Sequence, residues 1–480
     1  MTTRPKFAKK ASSHALLYHL DGDTAADHDA IAKLRQHQSM LQGSPPRNAE
    51  RSPPPSPSRD AFRTHYGFHR VVAPPRSSVQ AAYRVNAASV LLHPTEVLVA
   101  VDRLILDSTS ARSLREKHGE DGAALRAAVA AIIKDRGKMH NPVTQSGGVL
   151  LGTVEEVGAE SPLGLKKGDR IVPLASLTCI PLRLRGPVKA IQGECVVVDA
   201  TAVLFASSPV ARCPPDIDPA VCVLGLDISS LVPQVERAVL RAMAKKAHAH
   251  ARSVAAAVKE EQQQQGSPGR AAAPEADWWH VLGFAPHPAR AKEDALLRAP
   301  LAPLTVYIQG CGKSGLAACS AIRRLQMLGR LPPEGVRIFA SDVVRAAAEG
   351  TVSHYADATA ALDSRDSLAT LGFLAQHGCG GGVDLVLACH NQPDCETSAV
   401  LSTAEGGTAI FFSMATVFSQ ANLATDIAGK AVNCSFGVGL AEAQDAAMFA
   451  LLREDKVLRD HFEGLSKELA EALAFGGDEA

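Results

Sequence analysis

The run Val306-Tyr-Ile-Gln-Gly-Cys-Gly-Lys-Ser-Gly315 constrains this chain more than any other stretch. It reads as a short apolar strand, a glycine turn and the start of a helix continued by Leu316, Ala317, Ile322 and Leu325. Such a turn suits a pyrophosphate. Gly310 makes the tight turn, Gly312 lets backbone N–H groups approach the phosphates, and Gly315 lets the helix pack closely on its strand. The helix N-terminus adds about half a positive charge facing the ligand. Lys313 and Ser314 belong to the same turn and are grouped with the cofactor-binding residues. A P-loop does not fit, because the glycine it requires five residues before Gly312 falls on Tyr307.

A second strand follows at Val336-Arg-Ile-Phe-Ala340, with Asp342 just beyond it. An acid there accepts hydrogen bonds from the adenosine ribose and disfavours a 2′-phosphate, so NAD is the expected cofactor. The neighbouring Arg345 leaves NADP open. Val383-Asp-Leu-Val-Leu-Ala388 and Gly406-Gly-Thr-Ala-Ile-Phe-Phe412 are nearly continuous apolar strands, with a helix between them over 397–403. Alternating strands and helices predict a doubly wound parallel sheet, an α/β Rossmann domain. Ligands lie outside the carboxyl ends of such strands, which puts Asn391, Ser413 and Met414 toward the nicotinamide half of the site.

The chain has 480 residues, 46% of them hydrophobic, and no formal net charge. That length implies two or three domains. The charge balance points neither to nucleic acid nor to an anionic membrane. No apolar run approaches the roughly 18 residues a membrane helix needs. The ten cysteines form no C-x-x-C pair and read as reduced thiols of an intracellular protein. Arg4, Lys6, Lys9 and Lys10 precede any acid before Asp21. They fit a disordered tail of a cytoplasmic protein, or the leader of one bound for the mitochondrial matrix.

Proline-rich composition marks residues 1–61 as a disordered leader. Order is expected from Phe62. Residues 62–222 hold strands at 82–85 and 96–101, a helix over 123–133, and two strands joined by a tight turn at Gly168-Asp169. Residues 223–455 make the nucleotide domain, with an inserted low-complexity segment at 245–300, and 456–480 form a C-terminal helix and tail. His248 and His250 in that insertion are two apart and do not share a helix face. Trp278-Trp279 is expected to pin the insertion's end to the body.

The pair Gly152-Thr-Val-Glu-Glu-Val-Gly158 and Gly164-Leu-Lys-Lys-Gly-Asp-Arg-Ile-Val-Pro173 resembles the GroES-like β-rich catalytic domain of medium-chain dehydrogenases. A closer likeness follows from four runs: Gly137-Lys-Met-His-Asn-Pro-Val-Thr-Gln-Ser-Gly-Gly148, Pro173-Leu-Ala-Ser-Leu-Thr-Cys-Ile-Pro-Leu182, Gly310-Cys-Gly-Lys-Ser-Gly315 and Phe411-Phe-Ser-Met-Ala-Thr416. With Tyr66-Gly-Phe-His-Arg-Val71, they resemble the L-erythro-3,5-diaminohexanoate dehydrogenase family from about Phe62 to about Leu452. The resemblance implies NAD-linked oxidative deamination at carbon 3 of a small amino acid, a step of lysine degradation. The products would be 5-amino-3-oxohexanoate, ammonia and NADH. By analogy it also implies a homo-oligomer, a dimer or tetramer. The leader and the insertion depart from the bacterial family and suggest a eukaryotic relative. Asp107-Ser-Thr-Ser110 stands where zinc alcohol dehydrogenases place a metal-binding cysteine, so no catalytic metal is expected.

A diamine substrate needs a base for the reacting ammonium, anions for both ammonium groups and a cation for its carboxylate. Lys138 and His140 lie in a Gly-, Asn- and Pro-rich loop. Lys138 is assigned to the carboxylate or to water activation, and His140 to proton transfer. Asp107 either binds an ammonium or caps a helix. Asp227 lies in an apolar run where a carboxylate is costly unless paired, and the resemblance also places an aspartate there. Glu396 is a weaker candidate that also suits a helix start. Two other readings compete: a zinc-free NADP-dependent quinone or enoyl reductase, and a nucleotide-binding scaffold without catalysis.

Overall fold

The structure, a computed structural model, describes residues 59–264, 301–413, 415–437 and 439–475. Residues 1–58 of the leader, Trp278-Trp279 and Met414 therefore lie outside the described residues, while Arg59–His65 form a helix, so order starts before the expected Phe62.

Fifteen strands build three sheets among the described residues. A short antiparallel pair joins β1 (Val71–Ala73) to β2 (Arg84–Val85). Seven strands form an antiparallel sheet around β3 (Val97–Ile105), β4 (Val149–Val157) and β8 (Cys195–Leu204). β5 (Arg170–Pro173) and β9 (Val210–Arg212) extend it on one side, and β6 (Leu182–Leu184) and β7 (Ala190–Gln192) lie against β8 on the other. The Gly168-Asp169 turn links β4 to β5, with the Asp169 N–H donating to Lys166 O at 3.0 Å.

The third sheet is wholly parallel: β10 (Leu304–Gln309), β11 (Val336–Asp342), β12 (Ala358–Ala361), β13 (Val383–Ala388), β14 (Thr403–Phe411) and β15 (Asn433–Phe436). Its spatial order is β12-β11-β10-β13-β14-β15. Chain direction across the sheet reverses between β10 and β13, which opens a crevice at their carboxyl ends. The expected α/β architecture, a Rossmann sheet beside a β-rich domain, is therefore present. β10 and β13 are almost entirely buried, as strands covered on both faces must be.

One core cluster runs from the Rossmann sheet (Leu304, Ile308, Leu385) through the helix Pro219–Leu226 to Ile105 and Leu151 of the antiparallel sheet. Apolar continuity of this kind fixes the crevice between the two sheets. The segment expected to start an insertion at 245 begins inside a continuous helix, Leu231–Gln264. There Lys246 donates to Asp384 at 2.7 Å, and Ala247 and Ala251 are buried.

An ion pair anchors the start of the ordered chain. Arg70 and Glu96 are both fully buried, and the guanidinium grips the carboxylate through Nε at 2.6 Å and Nη2 at 2.7 Å. Arg70 also donates to the carbonyls of Asn86, Ala88 and Val90, and His69 Nε2 lies 2.6 Å from Glu96. Burial opposes the Glu96 charge, but the hydrogen bonds from Arg70 and His69 overcome it and hold its pKa down, from 4.5 to about 2. A depressed carboxylate stabilises the fold above its unfolded pKa, and that contribution is lost as pH falls toward about 2. We expect Glu96→Gln, which leaves a buried guanidinium facing a neutral amide, to cost about 3–5 kcal/mol in urea unfolding at neutral pH. The gap from wild type should narrow below pH ~4; a constant gap would mean that the carboxylate charge is not what matters.

Candidate active site

The glycine turn sits at the mouth of the β10–β13 crevice. Gly310 has φ +94°, open to glycine at little cost, and a Cβ there would lie 2.8 Å from the His390 side chain. A Cβ on Gly315 would fall 1.9 Å from Gly310 O, so the helix Lys313–Met327 packs directly on the turn. Gly312 caps that helix without a side-chain partner, and a Cβ there would meet nothing within 4 Å. The turn is closed on its inner side and open where a pyrophosphate would lie, so these residues fit a dinucleotide. Ser314 is half-buried on the first turn of the same helix.

Asp342 ends β11. One of its carboxylate oxygens accepts the Cys311 N–H at 2.7 Å, and the other accepts the Val344 N–H at 2.8 Å. The acid thus orders the glycine turn and retains lone pairs on both oxygens. Arg345, the alternative partner for a 2′-phosphate, pairs with Glu349 at 2.6 Å on an exposed helix.

Loops after β13 and β14 close the crevice. Asn391 donates to Ser108 Oγ and accepts from Ser413 Oγ at 3.1 Å. Ser413 also accepts the Ala415 N–H at 3.0 Å. Glu396 is buried, and its Oε1 accepts the Val417 N–H at 2.6 Å, so it holds the backbone after β14.

Asp107 precedes the helix Ser108–His118 and caps it, its Oδ1 accepting from Ser110 N at 2.9 Å and from Ser146 Oγ at 3.0 Å. Its Oδ2 is buried without a partner. The cap and the available carboxylate oxygen coexist in one side chain. The same network joins Ser110 to Thr144 at 2.8 Å, so the loop carrying Lys138 and His140 is seated on the Asp107 strand end.

Lys313 is the surprise of the turn. Its place in the sequence groups it with the phosphate-holding residues, yet its ammonium reaches Glu194 at 2.7 Å and Asp227 at 3.2 Å. Burial opposes the Lys313 charge, but the two carboxylates outweigh it and push its pKa up. Burial also raises Asp227, to about 6, against the pull of Lys313 and with help from Glu194 and Asp107. One ammonium therefore joins two carboxylates, Glu194 and Asp227, and the charge of a third acid, Asp107, acts on Asp227.

Lys138 does not match its assignment. Its ammonium donates to the carbonyls of Val79 at 2.6 Å, Gln80 at 2.8 Å and Thr178 at 3.0 Å. All three protons are taken, and the side chain is fully buried, so it ties three segments together and has none left for a substrate carboxylate. His140 is buried, with Nε2 on Gln145 Oε1 at 3.0 Å and Nδ1 without a partner. Burial and then Lys138 lower its pKa, keeping the ring neutral.

Two residues escaped the sequence reading. Glu194 follows a turn between β7 and β8 and has no local signature. His390 is the second residue after β13 and lies against Gly310, with Nε2 buried and unpartnered. The strand-end rule that selected Asn391 applies equally to it. Among the described residues, no three His, Cys, Asp or Glu side chains are grouped to hold a metal ion.

The Lys313 cluster makes a direct prediction. Lys313→Met leaves Glu194 and Asp227 together without their cation and should destabilise the protein by about 3–5 kcal/mol. Adding Glu194→Gln and Asp227→Asn should recover part of that loss in urea unfolding. A triple variant as unstable as the single would show that the charges are not coupled.

Comparison with known proteins places this geometry in a family context. Residues 69–214 match the L-erythro-3,5-diaminohexanoate dehydrogenase N-terminal domain. A curated enzyme of that name from Acetoanaerobium sticklandii is 29% identical over 402 residues, 83% of this chain and 97% of its own. Another of the same name from Fusobacterium nucleatum is 29% identical over 406 residues, again 83% and 97%. Among solved structures, a D-arabinose dehydrogenase from Sulfolobus solfataricus aligns over 76% of this chain and 88% of its own, at 13% identity and a TM-score of 0.42. The chain is thus similar to L-erythro-3,5-diaminohexanoate dehydrogenases over 83% of its length, and residues 69–214 match the N-terminal domain described for them.

Proposed function

We propose that this protein is an NAD-dependent amine dehydrogenase that oxidatively deaminates L-erythro-3,5-diaminohexanoate. The substrate's carbon 3 loses a hydride and its nitrogen a proton, water adds to the resulting iminium, and ammonia leaves. The products are 5-amino-3-oxohexanoate, ammonia and NADH. The observation that carries the reading is the excess of acids at the crevice, Glu194 and Asp227 on one lysine with Asp107 acting on Asp227, where a doubly cationic substrate needs anions. The names of the two bacterial relatives support the same choice.

Gly310, Gly312 and Gly315 would hold the dinucleotide, with Ser314 at the phosphates and Asn391 and Ser413 toward the nicotinamide. Asp342 would accept from the ribose hydroxyls and repel a 2′-phosphate, which favours NAD over NADP. A bound nicotinamide coenzyme would supply the hydride acceptor.

The chain's own residues would do the rest. Asp227 accepts the proton of the carbon-3 ammonium at its carboxylate. Its pKa, pushed up to about 6 by burial, makes it a stronger base than an ordinary aspartate while leaving it ionised at neutral pH. Lys313 and Glu194 position that carboxylate. Asp107 offers Oδ2 to the second ammonium. His140, neutral and with Nδ1 free, is the candidate to carry protons for water addition. Arg112 spans from the Asp107 helix to Gln392 at 3.3 Å and is proposed, in place of Lys138, for the substrate carboxylate.

The test is NADH formation with 3,5-diaminohexanoate beside lysine, β-lysine and simple alcohols. We expect turnover with the diamine and NAD, rising with pH through about 6 as Asp227 loses its proton. Asp227→Asn should cut turnover at least about tenfold, roughly 1.4 kcal/mol of barrier. Wild-type kinetics in that variant would remove Asp227 from the chemistry. Oxidation of NADPH with an enone or quinone, and none of the diamine, would replace the whole reading with that of a reductase.

A further inference from the structure

A second concave site lies away from the acid crevice. Between β2, the helix Gly122–Arg136 and β6 there is a cavity of about 670 Å³. Its floor is apolar, with Val85, Ile133 and Leu182 buried in it. Its rim carries Arg84, Lys134 and Arg183, one from each of the three elements. None of these three side chains has a hydrogen-bond or ion-pair partner among the described residues. No aspartate or glutamate lines the cavity.

The acid next to the rim is taken elsewhere. Asp135 accepts from the Tyr83 hydroxyl, and Arg136 lies over the Tyr83 ring at 4.8 Å. Arg185, two residues beyond Arg183, by contrast pairs with Glu155. Three cations left unpaired around one apolar hollow create a positive potential that no carboxylate among the described lining residues answers. Volumes of about 300–1,000 Å³ suit small organic ligands.

We propose that this cavity binds a small amphiphilic anion, a carboxylate or phosphate ester whose head is held by Arg84, Lys134 and Arg183. Its hydrocarbon body lies on Val85, Ile133 and Leu182. The site is independent of the proposed dehydrogenase chemistry, since none of its residues contributes to the acid crevice. Neither head group is favoured by the geometry alone, because arginine and lysine serve both.

Isothermal titration calorimetry on the full chain tests this with octanoate, octyl phosphate and neutral octanol. The expected result is one saturable site per chain for at least one of the two anions, with octanol at least about tenfold weaker, or 1.4 kcal/mol. Whichever anion binds tighter identifies the head group, and its affinity should fall with added salt. The variant Arg84→Gln/Arg183→Gln should weaken the anion about tenfold or more and leave octanol unchanged; both positions are exposed, and thermal melting checks that it folds. Ala130→Phe, which fills the hollow without touching the rim charges, should weaken every ligand. The proposal fails if neither anion binds, if octanol binds as well as they do, or if the charge variant binds the anions like wild type.

Discussion

A half-buried lysine between two sheets sets the terms for the rest of this structure. Lys313 starts the helix that follows the glycine turn, and its partners Glu194 and Asp227 come from the β7–β8 turn and from the end of the helix Pro219–Leu226. Moving these charges out of water costs several kcal/mol per ion unless each keeps a partner. The ammonium can satisfy both acids only if the glycine turn stands at one distance from the antiparallel sheet. The apolar cluster joining Ile105 to Leu304 sets that distance, and the ion group makes departures from it costly.

How much of this could be read from sequence follows from sequence separation. The glycine turn, β10, β11 and β13 are local patterns, and apolar runs punctuated by glycine fixed them to within a residue or two. Asp342 followed from its place at a strand end. The Lys313 partners lie 119 and 86 positions away, and no periodicity connects them. Beside Gly312, Lys313 reads as a phosphate ligand because the short-range pattern is the same whichever way the side chain turns. Asp227 stood out for a different reason, as a carboxylate inside an apolar run, and cost alone pointed to a partner without naming it.

Lys138 shows the opposite failure. A lysine in a Gly-, Asn- and Pro-rich loop looks free for function, and loops do carry function. Here Val79, Gln80 and Thr178, in segments outside that loop, present carbonyls that no strand uses, and Lys138 satisfies all three. Buried main-chain acceptors need donors, and a long flexible cation supplies three at once. The loop is therefore held in shape by the residue that composition had marked as reactive, while Asp107, read as either cap or ligand, serves the cap with one oxygen and leaves the other unpartnered.

The acid excess at the crevice works against folding. Asp227 has its pKa raised because burial and two neighbouring carboxylates disfavour its charge, so the folded state at neutral pH carries a penalty the unfolded chain does not. The sign is that of a raised carboxylate: the penalty is absent below the unfolded pKa near 4 and grows until pH passes about 6. A hydrophobic residue at position 227 would escape it. A site that lowers stability this way gains only if something cationic arrives to share the charge, since a ligand that binds the folded state alone returns stability by mass action. Asp227 stands beside Lys313, the first residue of the helix after the glycine turn, so the proposed diamine pocket and the proposed dinucleotide site share one electrostatic group, and a cation bound there would relieve the penalty on Asp227.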